Sequence, residues 1–305
     1  MTRRRDVLRS LAALLLAAAC GRSAEPAGTS ERTATAPRGG GGTKFASQTL
    51  LSDEILWDLG PQVRDRVVAV SSLADDPRYS LRPNLWPAEV PRIATGSEAL
   101  VALEPDVVIV ATFTAPEVRE RLTHLGLELL VLPPMTGTAA YRRSVEAIAA
   151  RAEAPEAGRE LVARFETAFA SHGRVRGIDP PSIVAYAAGV VAGSGTTFDE
   201  AARHTGWVNA AAAAAIAGHA KVDPERLLDW SPDAVVIPCG EDCGAAVAAF
   251  VALPGFDRLD AVRHDRVVAV PDPVLHATGF GLVDLAARLA AACDGIVPPG
   301  EVEAR

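Results

Sequence analysis

Residues 98–109 read E-A-L-V-A-L-E-P-D-V-V-I, and residues 225–237 read E-R-L-L-D-W-S-P-D-A-V-V-I. In each stretch a glutamate, Glu98 or Glu225, opens a short amphipathic helix, which a proline ends seven residues later. An aspartate and a run of β-branched residues follow, and such an apolar run predicts a buried parallel strand. A helix, an X-Pro break and a buried strand form half of an α/β unit. The recurrence of this unit in each half predicts two similar lobes.

The composition fits two α/β domains that each have a hydrophobic core. The chain has 305 residues, of which 49% are hydrophobic and 22% are charged. Its formal net charge of −8 argues against nucleic acid as a partner.

The first twenty residues predict an export signal. Arg3, Arg4 and Arg5 give a positive start, and Leu11 to Ala19 is an apolar run too short to span a bilayer. The run ends in A-A-A-C, which resembles a bacterial lipobox with Cys20 as the lipidated residue. Because R-R-R-D-V-L-R also resembles a twin-arginine signal, both the Sec and the twin-arginine routes stay open, as does the choice of inner or outer membrane.

The remaining chain divides into four further parts after that signal peptide (1–20). Residues 21–43 are rich in Gly, Ser, Thr, Ala and Pro and predict a flexible tether. Alternating strand and helix patterns predict an N-terminal lobe over 44–138 and a C-terminal lobe over 178–305. Residues 139–177 read as connecting helices without strands. We therefore expect a globular protein in the periplasm or at the cell surface, anchored by lipid to a membrane.

This order of elements resembles the class III substrate-binding proteins of bacterial ABC importers, the Fe³⁺-siderophore/cobalamin type. Besides the two opening units, the matching stretches are L-S-D-E-I-L (51–56), D-R-V-V-A-V-S (65–71), G-S-G-T-T-F (193–198) and P-C-G (238–240). The resemblance implies an α/β fold of two Rossmann-like lobes with central parallel sheets, joined by a single long α-helix. It also implies a monomeric, non-enzymatic receptor that holds a metal chelate between the lobes and delivers it to ABC permease and ATPase subunits.

Candidate ligand contacts follow the strands, because open α/β sheets bind ligands at the carboxyl ends of their strands. In the first lobe they are Gln48, Thr49, Leu50, Asp75, Arg78, Tyr79, Trp86, Phe113 and Thr114. In the second lobe they are Tyr186, Thr196, Thr197, Phe198, Cys239 and His276. An anionic ferric siderophore would need several cations, whereas this set is mostly aromatic, hydroxyl and apolar. We expect a corrinoid first, a ferric siderophore second and haem third, with His276 able to approach a metal.

Glu98 and Glu225 have two interpretations. A carboxylate at a helix N-terminus is favourable by itself, because it complements the helix dipole. The resemblance implies instead that these two residues, one in each lobe, dock onto arginines of the permease.

Other chemistry is less well supported by the sequence. The six histidines are scattered and none pair at metal-ligand spacing, so a bare metal site is not expected. Cys239 and Cys243 could form a disulfide, a redox pair or a metal site; export favours a disulfide, but the spacing leaves the role of Cys293 open. The G-S-G-T-T turn lacks the lysine of a P-loop, and we expect it to expose backbone N–H groups instead. No G-x-S-x-G signature is present, so a periplasmic hydrolase, like a scaffold lipoprotein without a ligand, is only an alternative.

Overall fold

The computed structural model describes residues 42–96, 98–175 and 178–296, which all belong to one compact unit. The expected signal peptide, Cys20 and residues 21–41 of the tether lie outside the described residues.

Five parallel strands form the sheet of the first lobe. They are β1 (Phe45–Ser47), β2 (Val67–Ser71), β3 (Arg92–Ile93), β4 (Val107–Ala111) and β5 (Glu128–Leu132), in the order β3-β2-β1-β4-β5. Helices α1 (Leu50–Asp58), α2 (Pro61–Arg64), α3 (Ala99–Ala102) and α4 (Pro116–His124) connect them. Strands β1, β2 and β4 are buried along their whole length, as expected for a parallel sheet with both faces covered.

Two helices carry the chain from the first lobe to the second. Helix α5 (Thr138–Arg151) packs beside α1, and helix α6 (Pro155–Ala170) follows after a turn that contains Glu153 in a left-handed conformation. The long helix expected between the lobes is α6, and α5 packs against it. The expected apolar face of α6 is buried, including Leu161, Phe165 and Phe169.

In the part of the second lobe that the structure describes there are six strands. They are β6 (Ser182–Ala187), β7 (Val190–Ala192), β8 (Val208–Asn209), β9 (His219–Lys221), β10 (Ala234–Cys239) and β11 (Val267–Pro271). The order is β11-β10-β6-β7-β9, and β8 also pairs with β6. The pairs β6–β7 and β7–β9 are antiparallel, whereas β8, β6, β10 and β11 run parallel.

The described residues of the second lobe form seven helices. They are α7 (Thr197–His204), α8 (Ala210–Ala213), α9 (Pro224–Trp230), α10 (Cys243–Val251), α11 (Asp260–Arg263), α12 (Asp272–Leu275) and α13 (Gly281–Asp294). A 3₁₀ turn covers Phe256–Arg258. Within the described ranges, none of the helices has the length and apolar character needed to traverse a bilayer.

The repeated sequence unit is repeated in structure. Helix α3 leads into β4 in the first lobe, and helix α9 leads into β10 in the second. The Asp106 carboxylate accepts the backbone N–H of Lys44 at 2.6 Å, just before β1, and the Asp233 carboxylate accepts that of Ser182 at 2.8 Å, at the start of β6. Each aspartate therefore ties its own strand to the central strand of its lobe, which explains why P-D precedes both strands.

One hydrophobic core runs through the connecting helices. It extends from Phe45 in the first lobe through Tyr141 of α5 and Phe165 of α6 to Leu285 in the second lobe. Phe280, just before α13, lies edge-on to Tyr141 and Phe165, with ring centroids 6.3 and 5.5 Å away. The lobes are therefore joined by packing as well as by the chain.

Candidate functional site

The carboxyl ends of the two sheets meet where the lobes join. The segment after β11 touches α1, which itself follows β1: a methyl group built on Gly279 would lie 2.9 Å from Glu54 Oε2. Next to it, a methyl group on Gly281 would lie 2.2 Å from Leu81 Cδ1. We call the loops that follow the strands on this side the inter-lobe edge: residues 48–50, 72–87, 112–115, 188–189, 193–197, 239–243 and 276–280. Nearly all the expected ligand contacts lie on it.

Two aromatic side chains of the first lobe are exposed on the inter-lobe edge. Tyr79 is 52% exposed and Phe113 is 82% exposed. Because a soluble protein normally buries such rings or covers them with a partner, these two are the best-placed apolar contacts of this lobe.

Arg78 is also exposed but is already paired. Its guanidinium contacts the carboxylate of Asp76 at 2.6 Å and lies 5.5 Å from the Tyr79 ring centroid. Hydrogen bonds from Arg78 lower the pKa of Asp76 to about 2, so the carboxylate stays charged at neutral pH. The Arg78 charge is therefore largely compensated within its own loop.

Asp75 stabilises the same loop through hydrogen bonds. Its carboxylate accepts hydrogen bonds from Arg92 Nε at 2.8 Å and from the backbone N–H of Asn84 at 2.9 Å. Hydrogen bonding to Arg92 lowers the pKa of Asp75. Its carboxylate therefore holds the loop to β3.

Trp86 is buried, contrary to its expected role as a ligand contact. It is 3% exposed, packs edge-on to Trp57 at 5.2 Å, and donates its indole N–H to the carbonyl of Asp53 at 3.3 Å. The ring anchors the Pro-rich loop to α1, so in this structure it offers a ligand no surface.

The polar residues after β1 and β4 are likewise engaged with the backbone. Gln48 is buried and accepts the N–H of Gly96 at 3.2 Å, and Thr114 is buried and accepts the N–H of Ala111 at 3.3 Å. Thr49 caps α1 by accepting the N–H of Ser52 at 3.0 Å. Of this group only Thr49 and its neighbour Leu50 remain half-buried rather than fully buried.

The G-S-G-T-T-F turn forms a helix cap instead of an anion site. Thr196 accepts the N–H of Asp199 at 3.1 Å and donates to the carbonyl of Gly193 at 2.8 Å. The backbone N–H groups of Gly193 and Ser194 bond to the segment at 216–218, so these two are not free to contact a ligand as expected. Phe198 is buried in the core, with 2% of its surface exposed, and its neighbour Thr197 is half-buried.

Cys239 and Cys243 form a disulfide across the loop that follows β10, which decides between the alternatives left by the sequence. Cys293 is free and buried on α13. Asp242, inside the loop, caps α10 by accepting the N–H of Ala245 at 2.8 Å. Cys239 itself is nearly inaccessible, so it shapes the loop and offers little contact surface.

His276 is the exposed titratable group of the second lobe nearest the β11 end. Its Nε2 lies 3.9 Å from Asp272 Oδ1, and its side chain is 59% exposed. Local desolvation lowers the pKa of His276 and nearby His219 adds to this, while Asp272 opposes it. At neutral pH the ring is therefore mainly neutral, which is the form that binds metals. The neighbouring His219 is a candidate that the sequence did not reveal.

A cavity of about 500 Å³ lies within the second lobe. Tyr186 lines it and packs against Phe250 and Phe256, with ring centroids 6.0 and 5.9 Å away. The other lining residues are Ala188, Gly189, Pro224, Ile237, Pro238, Ala246 and Leu253. Tyr186 therefore faces this apolar cavity between β6, β10 and α10.

Glu98 and Glu225 are both exposed at helix starts. Glu98 is the N-cap residue of α3 without a capping side-chain hydrogen bond, and Glu225 lies in the first turn of α9. Both carboxylates are thus available to a partner. Within the described residues, no three His, Cys, Asp or Glu side chains come together in a way that could hold a metal ion.

Sequence reasoning missed two glutamates at the lobe junction, Glu54 and Glu200. Each follows an aspartate in the first turn of a helix, within S-D-E-I or F-D-E-A. The recurrence of this D-E pair after a threonine cap was the available signal.

A family profile described as periplasmic binding protein matches residues 46–274. A possible iron-binding (periplasmic solute-binding) protein from Staphylococcus epidermidis superposes with a TM-score of 0.69 at 16% identity, over 82% of this chain and 97% of that one. The periplasmic heme-binding protein RhuT from Roseiflexus sp. RS-1 gives 0.66 at 25% identity, over 83% and 100%. The periplasmic vitamin B12 binding protein BtuF of Vibrio cholerae gives 0.62 at 20% identity, over 82% and 96%. No curated protein sequence matches the chain.

Proposed function

Since this chain belongs to the periplasmic binding protein family, we propose that its inter-lobe edge captures a metal chelate and delivers it to an ABC permease. The protein is a solute-binding protein of the ABC-importer type and not an enzyme. The family places it in the periplasm or outside the cell. The choice of chelate, the lipid anchor and the docking residues are our proposal.

The choice of chelate rests on one observation: aromatic rings are exposed on the first lobe and an imidazole is exposed on the second. Tyr79 and Phe113 lie on the first lobe and His276 on the second, all on the inter-lobe edge. Flat, largely apolar ligands pack well on aromatic faces, and a neutral imidazole is a common ligand of cobalt and iron. A corrinoid combines both properties and is our first choice.

The charges of the first lobe support a ligand that is nearly neutral. Two arginines of the loop after β2 and one of β3 are each paired with an aspartate: Arg78 with Asp76, Arg82 with Asp58 and Arg92 with Asp75. Binding an anionic ferric siderophore would require breaking these pairs. A siderophore is therefore less favoured than a corrinoid.

Haem is the second candidate, because the exposed side chains include a phenol oxygen and an imidazole nitrogen, and either can bind haem iron. A tyrosine or a histidine can bind haem iron, and Tyr79 and His276 are exposed on opposite lobes. The periplasmic heme-binding protein RhuT is 25% identical to this chain, which supports the same alternative.

The test is a titration of the purified protein with cyanocobalamin, haemin and a ferric hydroxamate, followed by intrinsic fluorescence and absorbance. We expect tight binding of cyanocobalamin, weakened at least about tenfold in His276→Ala, since a lost metal ligand costs more than about 1.4 kcal/mol. His264→Ala is the matched control, because His264 is exposed but precedes β11 at the other end of the sheet. Tight binding of haemin alone would select the second candidate. Binding of the hydroxamate alone would overturn both, and binding of none would overturn the chelate assignment.

Glu98 and Glu225 are proposed to dock onto the permease, one from each lobe. Their exposure at two equivalent helix starts supports this role. Charged pairs on a rim mainly orient a partner and speed its approach, so they are expected to affect delivery rather than chelate affinity.

Anchoring through Cys20 is proposed from the A-A-A-C stretch and the tether composition. We expect Cys20→Ser to release the protein from membranes or to leave an unprocessed precursor, as seen by fractionation and mass spectrometry. A correctly cleaved variant that stays membrane-bound would contradict the anchor.

A further inference from the structure

Glu200 reaches from the second lobe to the first. It lies in the first turn of α7, and its Oε2 accepts the backbone N–H of Thr138 at 2.6 Å while its Oε1 accepts the Thr138 hydroxyl at 2.6 Å. Thr138 is the first residue of α5, the helix that follows the last strand of the first lobe. A carboxylate at this position satisfies an unpaired helix N–H and complements the helix dipole.

The backbone at the start of α5 leaves room only for this carboxylate. Gly137 has φ 144°, and a methyl group built on it would lie 1.5 Å from Glu200 Oε2. Any side chain at position 137 would displace the Glu200 carboxylate. The glycine and the glutamate therefore form one contact between the lobes.

Glu54 makes the reverse contact, from the first lobe to the second. It lies on α1, and a methyl group built on Gly279 would be 2.9 Å from its Oε2. Gly279 stands two residues before α13, which begins at Gly281. The Glu54 carboxylate thus lies close to the segment that leads into α13 without a hydrogen bond to it, whereas the Glu200 carboxylate is hydrogen-bonded to the start of α5.

The two helices that carry these glutamates are equivalent in their lobes. Helices α1 and α7 each begin with a threonine cap, and each places a buried aspartate directly before its glutamate. Asp53 Oδ1 accepts the N–H of Ser71 at the end of β2, and Asp199 Oδ1 accepts the side-chain amide of Asn209 at the end of β8, both at 3.1 Å. In both lobes the aspartate faces its own sheet while the glutamate faces the other lobe.

We propose that Glu200 and Glu54 are positioning residues that hold the two lobes at a fixed separation, with Glu200 as the stronger contact. Together with α6 and the packing of Phe280 and Gly281 they join the lobes at several places, so the inter-lobe edge stays at one width before a solute arrives. The inference rests on the solute-binding role of the inter-lobe edge but not on the identity of the chelate.

Hydrogen exchange of the Thr138 amide tests the Glu200 contact directly. We expect Glu200→Ala to speed exchange of this amide by about tenfold or more, because a hydrogen bond to a charged group is lost. Glu200→Gln should stay close to wild type, since the glutamine carbonyl can accept the amide N–H and its NH₂ can donate to the Thr138 hydroxyl. Glu160→Ala, which removes an exposed carboxylate of α6, is the control for net charge.

Lobe separation is the second readout, and it also needs no ligand. Spin labels at Thr123→Cys on α4 and Ala248→Cys on α10, both exposed, report the distance between the lobes. We expect a broader distance distribution in Glu200→Ala, a smaller broadening in Glu54→Ala, and none in Glu200→Gln or Glu160→Ala. Unchanged Thr138 exchange and an unchanged distribution in a folded Glu200→Ala protein would overturn the proposal. If Glu200→Ala does not fold, Thr138→Val, which removes the hydroxyl half of the contact, must broaden the distribution for the proposal to stand.

Discussion

The first lobe runs from its central strand β1 straight into helix α1, whereas the second lobe inserts the β6–β7 hairpin before helix α7. The hairpin adds antiparallel pairs to a sheet that is otherwise parallel, and its turn at Ala188 and Gly189 borders the apolar cavity. The threonine cap and the D-E pair are nevertheless present on both helices. An insertion between strand and helix thus changes the surface of the second lobe without changing how its helix meets the other lobe.

The same comparison shows that the aspartate–glutamate pair has different properties in the two lobes. The Glu200 carboxylate is bonded to an N–H and a hydroxyl of Thr138. Burial raises the pKa of Glu54 from its usual 4.5 to about 7, and that of Asp53 from 3.8 to about 7. Asp53 Oδ2 is buried without a hydrogen-bond partner. The first lobe therefore holds acids that gain protons near neutral pH at the position where the second lobe holds a bonded carboxylate.

The largest expected effect concerns the two exposed glutamates of the repeated unit. With the chelate that binds in the titration, Glu98→Ala combined with Glu225→Ala should abolish uptake and leave chelate affinity nearly intact, because rim charges orient a partner. Each single variant should reduce uptake only in part if the lobes dock equivalently. Glu120→Ala with Asp257→Ala removes two other exposed carboxylates, one from each lobe and both outside the inter-lobe edge, and is the control. A parallel loss of chelate affinity would mean that Glu98 and Glu225 act on structure instead.

The loops after β4 and β10 provide the next comparison, because a threonine holds one and a disulfide the other. Replacing Cys239 and Cys243 by serine should lower the free energy of unfolding by about 2 kcal/mol, as expected for a short closed loop. Thr114→Val, which removes the acceptor of the Ala111 N–H, should cost about 1 kcal/mol. Chemical denaturation measures both. An equal or larger cost for Thr114→Val would show that the disulfide adds little to this loop.

Much of this fold follows from local patterns in the sequence. The runs V-V-I-V and A-V-V-I predict buried strands, and Pro105 and Pro232 predict the breaks before them. The structure adds that Glu104 and Ser231, the residues before those prolines, are both left-handed, a detail that the residue types do not favour. The helical connector was equally predictable, because Pro155 marks the start of α6.

The site was less predictable, because position in a loop does not fix the direction of a side chain. Trp86 and Phe198 both follow strands, yet both point into the core, whereas Phe113 points outward. The β6–β7 hairpin was missed because V-V-A between two glycines also fits a loop before a helix. The inter-lobe contacts of Glu54 and Glu200 depend on how the lobes meet, which no local pattern encodes.

The raised pKa values of Asp53 and Glu54 predict a pH dependence of stability. Both carboxyl groups hold a proton more strongly in the folded than in the unfolded protein, so folding is favoured where they are protonated. Their contribution is fully present below about pH 4 and is lost as the pH rises to about 7, at up to roughly 1 kcal/mol per pH unit and group. The neighbouring groups are Ser47, Ser71, Arg92 and Asp75 for Asp53, and Arg82, Asp58 and Asp53 for Glu54.

Thermal melts between pH 5 and 8 check this sign. Asp53→Asn and Glu54→Gln mimic the protonated groups and should flatten the fall in melting temperature with rising pH. Glu160→Gln, on exposed α6 surface, serves as the control. A slope that is the same in all four proteins would show that other groups dominate the titration.

The smallest expected effects distinguish the two threonine caps, which were also expected to contact the ligand. Thr49→Ala removes the acceptor of the Ser52 N–H, and Thr196→Ala removes the acceptor of the Asp199 N–H, so each should cost about 1 kcal/mol. Thr196 is buried and also donates to the Gly193 carbonyl, so its cost should be the larger of the two. Serine at either position keeps the hydroxyl and should restore most of the stability.

Chelate titration of the same variants separates the two roles: Thr196 is too buried to reach a ligand, whereas half-buried Thr49 has surface left for one. A loss of affinity in Thr49→Ala that Thr49→Ser reverses, with Thr196→Ala binding normally, would place the ligand on the first-lobe side of the inter-lobe edge. The opposite pattern would move it to the second lobe and show that the turn at 193–197 opens in solution.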